Sequence, residues 1–291
     1  MAKSSREIKR RIASITSTQQ ITRAMEMVAA AKLRRAQQMV PSTRPYFESL
    51  HTSLGILLEA AQQRDVEVPW LSSAGDSHCL IVFTSDRGLA GGYNAAVIRR
   101  AEAFLEEHPT AQVVVVGRKA RDHLSRKGVT FLAEFVNLGD SPSPRQAWDI
   151  AQVVMDFYLH GLFDRISVLY SKFINTVTHE VTLRTVMPIE AGDELVQRGR
   201  ESGFAADYIY EPSLDVVLES VIPLYFQAAV YESLIEAKAS ELGARMVAMR
   251  NATDNAGELI RELNLSYHRA RQAQITKEIA EIVGGADALE S

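Results

Sequence analysis

Residues 246–270 read MVAMRNATDNAGELIRELNLSYHRA. Met249, Thr253, Ala256, Ile260, Leu263, Tyr267 and Ala270 recur at alternating spacings of four and three. That rhythm lays them along one stripe of an α-helix and matches the seam of a coiled coil. Leu224, Ala228, Tyr231 and Ile235 keep the same rhythm upstream, so one seam is expected over many turns. From Leu224 to Val283 the helix would be about 90 Å long at 1.5 Å per residue, far beyond an average globular helix. A helix of this length needs a partner. Gly284 and Gly285 sit where a helix C-cap is expected.

The amino-terminal segment supplies that partner. There is no proline in residues 1–40 and none in 224–291, so both ends can form uninterrupted helices. Ile8, Ile12 and Ile15 are spaced by four and three; after the polar run 16–20, apolar positions resume at Ile21, Met25, Val28 and Leu33. Resumption six residues after Ile15 predicts a stutter in the repeat. Ser4 or Ser5 can cap the helix, with Glu7 near the positive end of its dipole. Pro41 and Pro45 are expected to interrupt or kink it, with 46–62 as its continuation. Because the chain between the two ends must return, an antiparallel pair is the simplest assembly.

The middle of the chain has another character: eleven of the sixteen glycines lie between Gly75 and Gly203. The β-rich runs 78–84, 112–116, 129–135 and 165–173 alternate with helical stretches at 94–107, 118–127 and 145–160. Alternation of this kind predicts a parallel sheet covered on both faces. A strand over 180–187 follows after only a short connection and should pair antiparallel at an edge. The fold class is therefore α/β with long helices: an antiparallel coiled coil of the two ends and a central Rossmann-like α/β domain. The expected domains are 1–75 (helix and linker), 76–208 (α/β) and 209–291 (helix).

Composition agrees with a globular chain. It has 291 residues, 46% hydrophobic and 23% charged, with mean hydropathy −0.07. Its longest apolar runs, such as 80–83 and 113–116, are strand-length and far short of the roughly 18–20 residues that cross a bilayer. The single cysteine, Cys79, excludes an intrachain disulfide and fits a reducing compartment. Residues 1–44 carry ten basic groups against Glu7 and Glu26, a net of +8 in a chain of total −4. Such a segment suits an organelle transit peptide or a nucleic-acid arm. Against the transit reading, the apolar pattern runs on past any plausible cleavage site. Against the nucleic-acid reading, no aromatic platforms accompany the charges.

The string most suggestive of chemistry is 84–94, TSDRGLAGGYN, between the first strand and a helix, where a nucleotide phosphate would sit. Its glycines at 88, 91 and 92 match neither the dinucleotide fingerprint nor the phosphate loop, so it reads as a tight turn whose glycines take unusual backbone angles. Asp86 and Arg87 could pair there. No two histidines show metal spacing on one helix face, and His78 and Cys79, adjacent on a strand, point to opposite faces. Ser143, in the loop 139–144, lacks the glycines of a nucleophile elbow. A Rossmann-like enzyme and a coiled-coil nucleic-acid protein remain alternatives on these residues alone. Near the carboxyl end, Arg269, Arg271, Gln272, Gln274, Thr276, Lys277 and Glu278 crowd a helix just before Ile275, Ile279, Ile282 and Val283. This is either a solvated face or a polar ring below an apolar tip that something else must cover.

Four stretches carry a resemblance: 15–33 (ITSTQQITRAMEMVAAAKL), 84–94, 246–257 (MVAMRNATDNAG) and 263–283 (LNLSYHRARQAQITKEIAEIV). In order and spacing they closely resemble the gamma subunits of F-type ATP synthases, over essentially the whole chain. The resemblance implies a non-catalytic rotor shaft without cofactor or metal, inserted in a ring of alternating alpha and beta subunits. Its α/β domain would stand beside the epsilon subunit and the membrane c-ring, at the cytoplasmic side of a bacterial cell membrane, with no segment inserted in the bilayer and no nucleic acid bound. It further implies that Arg271 and Gln272 engage a loop of a catalytic beta subunit, with Thr276 and Glu278 in the same zone. Met25, beside Arg23, would meet the moving lobe of a beta subunit. Ile279, Ile282 and Val283 would enter an apolar collar, and Tyr208 would touch polar loops of the c-ring. The basic amino-terminal segment would face acidic beta-subunit loops. Some relatives carry a regulatory dithiol, which a chain with Cys79 alone cannot form.

Overall fold

The computed structural model describes residues 5–66, 75–189 and 208–290, without the side chains of 40–44 and 284–290. In chain order the elements are α1 (Ser5–Gln63), β1 (His78–Phe83), α2 (Tyr93–Glu107), β2 (Gln112–Val116), α3 (Arg118–Arg126), β3 (Ala133–Phe135), α4 (Pro144–Leu159), β4 (Arg165–Phe173), β5 (His179–Met187) and α5 (Leu214–Glu290). They form two compact units, Ala30–Arg245 and the pair Met1–Ala29 with Met246–Ser291. α1 and α5 each contribute to both.

The larger unit is built on a five-stranded sheet in the order β3-β2-β1-β4-β5. β1 lies parallel to β2 and β4, β2 lies parallel to β3, and β5 is the antiparallel edge that the short connection predicts. Every residue of β1 is buried, as expected of a central parallel strand covered on both faces. Its side chains alternate between two cores. Leu80 and Val82 pack with Val97, Ala101 and Phe104 of α2 and Ala120 and Leu124 of α3. Cys79, Ile81 and Phe83 join Ile150 and Val154 of α4, Leu54 and Leu58 of α1, and Ile222, Phe226 and Val230 of α5. Burial of each large aliphatic or aromatic side chain there contributes roughly 1.5–3 kcal/mol. Ser143 caps α4 through a capping box with Gln146, with Pro144 in the first turn. Gly117 joins β2 to α3 at φ +103°, where a Cβ would collide with the Thr84 carbonyl.

Several expected boundaries move. Pro41 and Pro45 lie inside one helical span, Ser5–Gln63. α5 begins at Leu214 and carries Pro223 within it. Gly284 and Gly285 do not end α5, which runs through both glycines to Glu290. β3 is limited to Ala133–Phe135, because only these residues pair with β2; Val129 instead bonds back to Leu124 at the end of α3. Ala228, Tyr231 and Ile235 do not extend the coiled-coil seam but belong to the core beneath the sheet, Tyr231 meeting Phe47 edge to face at 6.1 Å, while Leu224 is exposed. The most apolar 18-residue window of α5 has mean hydropathy 1.3, enough by length and composition to cross a membrane, yet 44% of it is buried inside the protein. A core helix under a sheet has the same composition.

Candidate functional site

In the smaller unit α1 and α5 run antiparallel. Ser5 Oγ donates to Gln274 Oε1 at 3.2 Å, Gln19 Nε2 donates to the Thr253 carbonyl at 3.3 Å, and Arg250 Nε donates to Glu26 Oε1 at 2.9 Å. Partner numbers fall along one helix as they rise along the other. On α5, Met249 and Ala256 are buried, and Thr253, Ile260, Leu263, Tyr267 and Ala270 are half-buried, so the seam is the one the spacing predicts. On α1 the stutter is absent. Ile8, Ile12, Ile15, Gln19, Thr22, Met25 and Ala29 turn inward without a break, while Ile21 and Val28 are 57% and 52% exposed. Polar Gln19 and Thr22 hold seam positions because Thr253 satisfies them, the two threonine hydroxyls meeting at 2.8 Å. Burial of such groups is tolerable once they are hydrogen-bonded.

α1 reaches as far as Gln274 through Ser5, and over these last turns the surface of α5 changes. Described side chains from Arg271 to Val283 are all exposed, Ile279 to 56% and Ile282 to 72%. Gln274 donates to Glu278 at 3.0 Å, and Lys277 pairs with Glu281 at 3.4 Å, both one helical turn apart. Arg271, Gln272, Thr276, Glu278, Ile279, Ile282 and Val283 therefore share one exposed stretch of helix. Met25 is not part of it. It lies half-buried near Glu26 and Arg250, about 30 Å from Arg271 along α5 at 1.5 Å per residue. Ile21 and Val28, one heptad apart on the outer face of α1, and Leu259 and Leu265 on α5 are further exposed apolar side chains. Sequence reasoning placed Ile21 and Val28 in the seam; their poor fit to the Ile8–Ile12–Ile15 rhythm was the available signal.

In the larger unit Tyr208 is 48% exposed beside Ile209. Tyr210 turns inward toward the core, its ring 4.9 Å from the Arg64 guanidinium and 6.4 Å from the Tyr208 ring.

The 84–94 turn is held by its own side chains. Asn94 Oδ1 accepts from Ser85 N–H at 3.0 Å and Ser85 Oγ at 2.9 Å. Asp86 does not pair with Arg87; it accepts the first N–H of α3, from Arg118, at 3.1 Å. Of the three glycines only Gly91 has positive φ, and Leu89 takes the other left-handed position. Buried Tyr93 donates to the Ala237 carbonyl of α5 at 3.1 Å, and Arg245 Nη2 bonds the carbonyls of Arg87 and Gly88 at 3.3 Å each. The turn is thus a joint between sheet and α5. Beside it lies a cavity of about 350 Å³ lined by Asp86, Arg87, Arg118, Asp140, Lys238 and Glu241 among others. Lys238 bridges Glu241 at 3.1 Å and Asp140 at 3.5 Å, Arg245 meets Glu241 at 2.5 Å, and Lys32 meets Asp140 at 2.6 Å. Cations and carboxylates there neutralise one another, unlike a cradle for phosphate. Burial pushes the Cys79 thiol up to about 12, far from the thiolate range of reactive cysteines. Asp76, His78 and His108 are the one group of potential metal ligands among the described residues.

A family described as ATP synthase matches residues 4–289. The ATP synthase gamma chain of Moorella thermoacetica is 46% identical over 287 residues, covering 98% of each chain. That of Halothermothrix orenii is 43% identical over 284 residues, again 98% of each. Among solved structures, the central stalk and c-ring structure of the Tetrahymena thermophila mitochondrial ATP synthase contains a chain matching with TM-score 0.63 and 25% identity, over 80% of this chain and 99% of that one. A chain of the Euglena gracilis mitochondrial enzyme matches with TM-score 0.70 over 98% of this chain and 94% of that one; at 21% identity it bears on the fold. The chain belongs to the gamma-chain family of the ATP synthases, the non-catalytic central-stalk subunits of a membrane-associated complex.

Proposed function

We propose that this chain is the rotor that couples proton-driven rotation of the c-ring to conformational change in the catalytic alpha and beta subunits, in ATP synthesis or hydrolysis, at the cytoplasmic side of a bacterial cell membrane. The observation that carries this reading is the uncovered end of α5, where polar and apolar side chains from Arg271 to Val283 project from a helix whose preceding turns are seamed against α1. Exposed apolar surface at a helix end calls for a partner. In this reading that partner is the ring of alpha and beta subunits.

Arg271 and Gln272 then engage a beta-subunit loop, with Thr276 and Glu278 alongside. Ile279, Ile282 and Val283 fill an apolar collar at the top of the head, and Met25 meets a beta-subunit lobe at a separate level. Tyr208 contacts polar loops of the c-ring, and the epsilon subunit stands beside the α/β unit. The basic amino-terminal segment faces acidic loops of the beta subunits, in place of nucleic acid or lipid, which steers assembly. Work is transmitted by differential contact. Each beta subunit meets another face of the shaft, and rotation shifts the populations of its open and closed states in turn.

The test is reconstitution of the chain with alpha and beta subunits, with a bead fixed to the α/β unit. Addition of ATP should turn the bead in one direction. A complex that assembles and hydrolyses ATP while the bead stays still would reject the rotor assignment.

A further inference from the structure

At the amino-terminal edge of the sheet, away from the surfaces described above, three metal-ligating side chains converge. Asp76 lies in the segment entering β1, His78 is the first residue of β1, and His108 is the C-cap of α2. One ligand atom from each lies within 4.8 Å of the others. His78 Nε2 stands 3.0 Å from Asp76 Oδ1, a hydrogen-bonding separation; ligands of a tetrahedral ion with bonds of about 2.0–2.2 Å lie roughly 3.3–3.6 Å apart, so a small shift of the exposed Asp76 side chain admits one. The His78 and His108 ring centroids are 3.9 Å apart, and Phe104 packs against both rings, at 5.7 Å and 4.7 Å.

The surrounding backbone holds this arrangement in place. Ser77, between the two β1-side ligands, donates its N–H and its hydroxyl to the Asp164 carboxylate. Its carbonyl accepts from Asp164 N–H at 2.8 Å and Arg165 N–H at 3.0 Å. The His108 N–H bonds the Phe104 carbonyl at 2.9 Å, and its own carbonyl accepts from Ala111 at 3.0 Å. Among the described residues, buried His78 Nδ1 has no hydrogen-bond partner. Asp76 is exposed, which leaves the cluster open to water on one side.

Two imidazoles and one carboxylate, with an open side, form a donor set suited to zinc and neighbouring divalent transition ions, and less suited to magnesium or calcium, which prefer oxygen. The geometry points to a site for one divalent transition-metal ion at Asp76, His78 and His108, with water completing the coordination. Bound there, the ion ties the start of β1 to the end of α2 and stabilises the α/β unit by mass action.

The test uses the full chain, freed of metal by chelation, and the ions alone. Titration with Co²⁺ should saturate at one equivalent with visible absorption that Zn²⁺ abolishes by displacement, and Zn²⁺ should raise the melting temperature. His108→Ala and Asp76→Asn, both outside the buried core and checked for fold by circular dichroism, should weaken binding about tenfold or more. His160→Ala, at an exposed helix end, should leave it unchanged. Absence of saturable binding at millimolar Co²⁺, or one-equivalent binding unaffected by His108→Ala and Asp76→Asn, would overturn the site and leave the rings as a packed pair.

Discussion

The hydroxyls of Thr22 and Thr253 meet at 2.8 Å across the helix pair, in the middle of a mostly apolar seam. Thr253 Oγ1 also donates to the Met249 carbonyl, and Thr22 Oγ1 lies 3.0 Å from the Gln19 carbonyl. The contact is therefore one part of a short polar network.

Removal of one hydroxyl leaves its partner short of a bond in a half-dry seam, whereas removal of both leaves two similarly shaped apolar groups. Thr22→Val and Thr253→Val should each cost about 1 kcal/mol, and the double variant should cost less than their sum. Thermal unfolding of the full chain, followed through helical circular dichroism, measures the cycle. Strict additivity would mean that the hydroxyls are not coupled.

Glu236 carries a pH dependence of predictable sign. Burial, and after it the Glu232 charge, push its carboxyl above the usual range, opposed by Lys172, Arg184 and a hydrogen bond from Tyr170, and among the described residues its Oε2 lacks a partner. The unfolded state thus ionises at lower pH than the folded state, and stability falls as pH rises from the ordinary carboxylate range to the raised folded value. Glu236→Gln should be close to neutral at pH 4 and more stable than the parent at pH 7. Melting curves at the two pH values check this; an equal effect at both would contradict it.

The proposed collar contact distinguishes a bearing from a lever. If Ile282 only fills an apolar collar, size and lack of charge matter more than identity. Removal of residues 279–291 should weaken the complex yet leave measurable ATPase. Ile282→Asp should be more damaging than Ile282→Ala, because a carboxylate would be buried without a partner. The readouts are complex recovery and ATPase rate, compared side by side. Loss of all turnover in truncated complexes that still assemble would make the tip part of the torque contact.

The sheet was legible because β1, β2 and β4 are short aliphatic runs set between helical stretches, and a parallel order follows from that alternation. On α5 the seam was legible because its positions from Met249 to Ala270 are apolar or small. α1 was harder: Gln19 and Thr22 occupy the seam only because Thr253 lies opposite, a fact of pairing that no local pattern holds. Pro223 hid the first turns of α5, and Gly284 and Gly285 suggested an end that a continuing helix overrides. Asp76, His78 and His108 meet only after β1 and α2 pack, since thirty residues separate the two histidines. Family resemblance, rather than periodicity, singled out Arg271, Gln272 and Tyr208, because an exposed polar side chain contributes nothing to the apolar rhythm that marks a seam.

In the proposed function one subunit makes two separate contacts, with the catalytic head through α5 and with the c-ring through Tyr208. The most direct test compares Arg271→Ala/Gln272→Ala with Tyr208→Ala in the assembled enzyme, measuring ATPase rate, head assembly and c-ring retention. The α5 pair should lower turnover or head assembly while the c-ring stays attached, and Tyr208→Ala should weaken c-ring attachment while the head still hydrolyses ATP. Equal damage by both variants to the same step would contradict two contact zones and, with them, the shaft as the link between membrane and head.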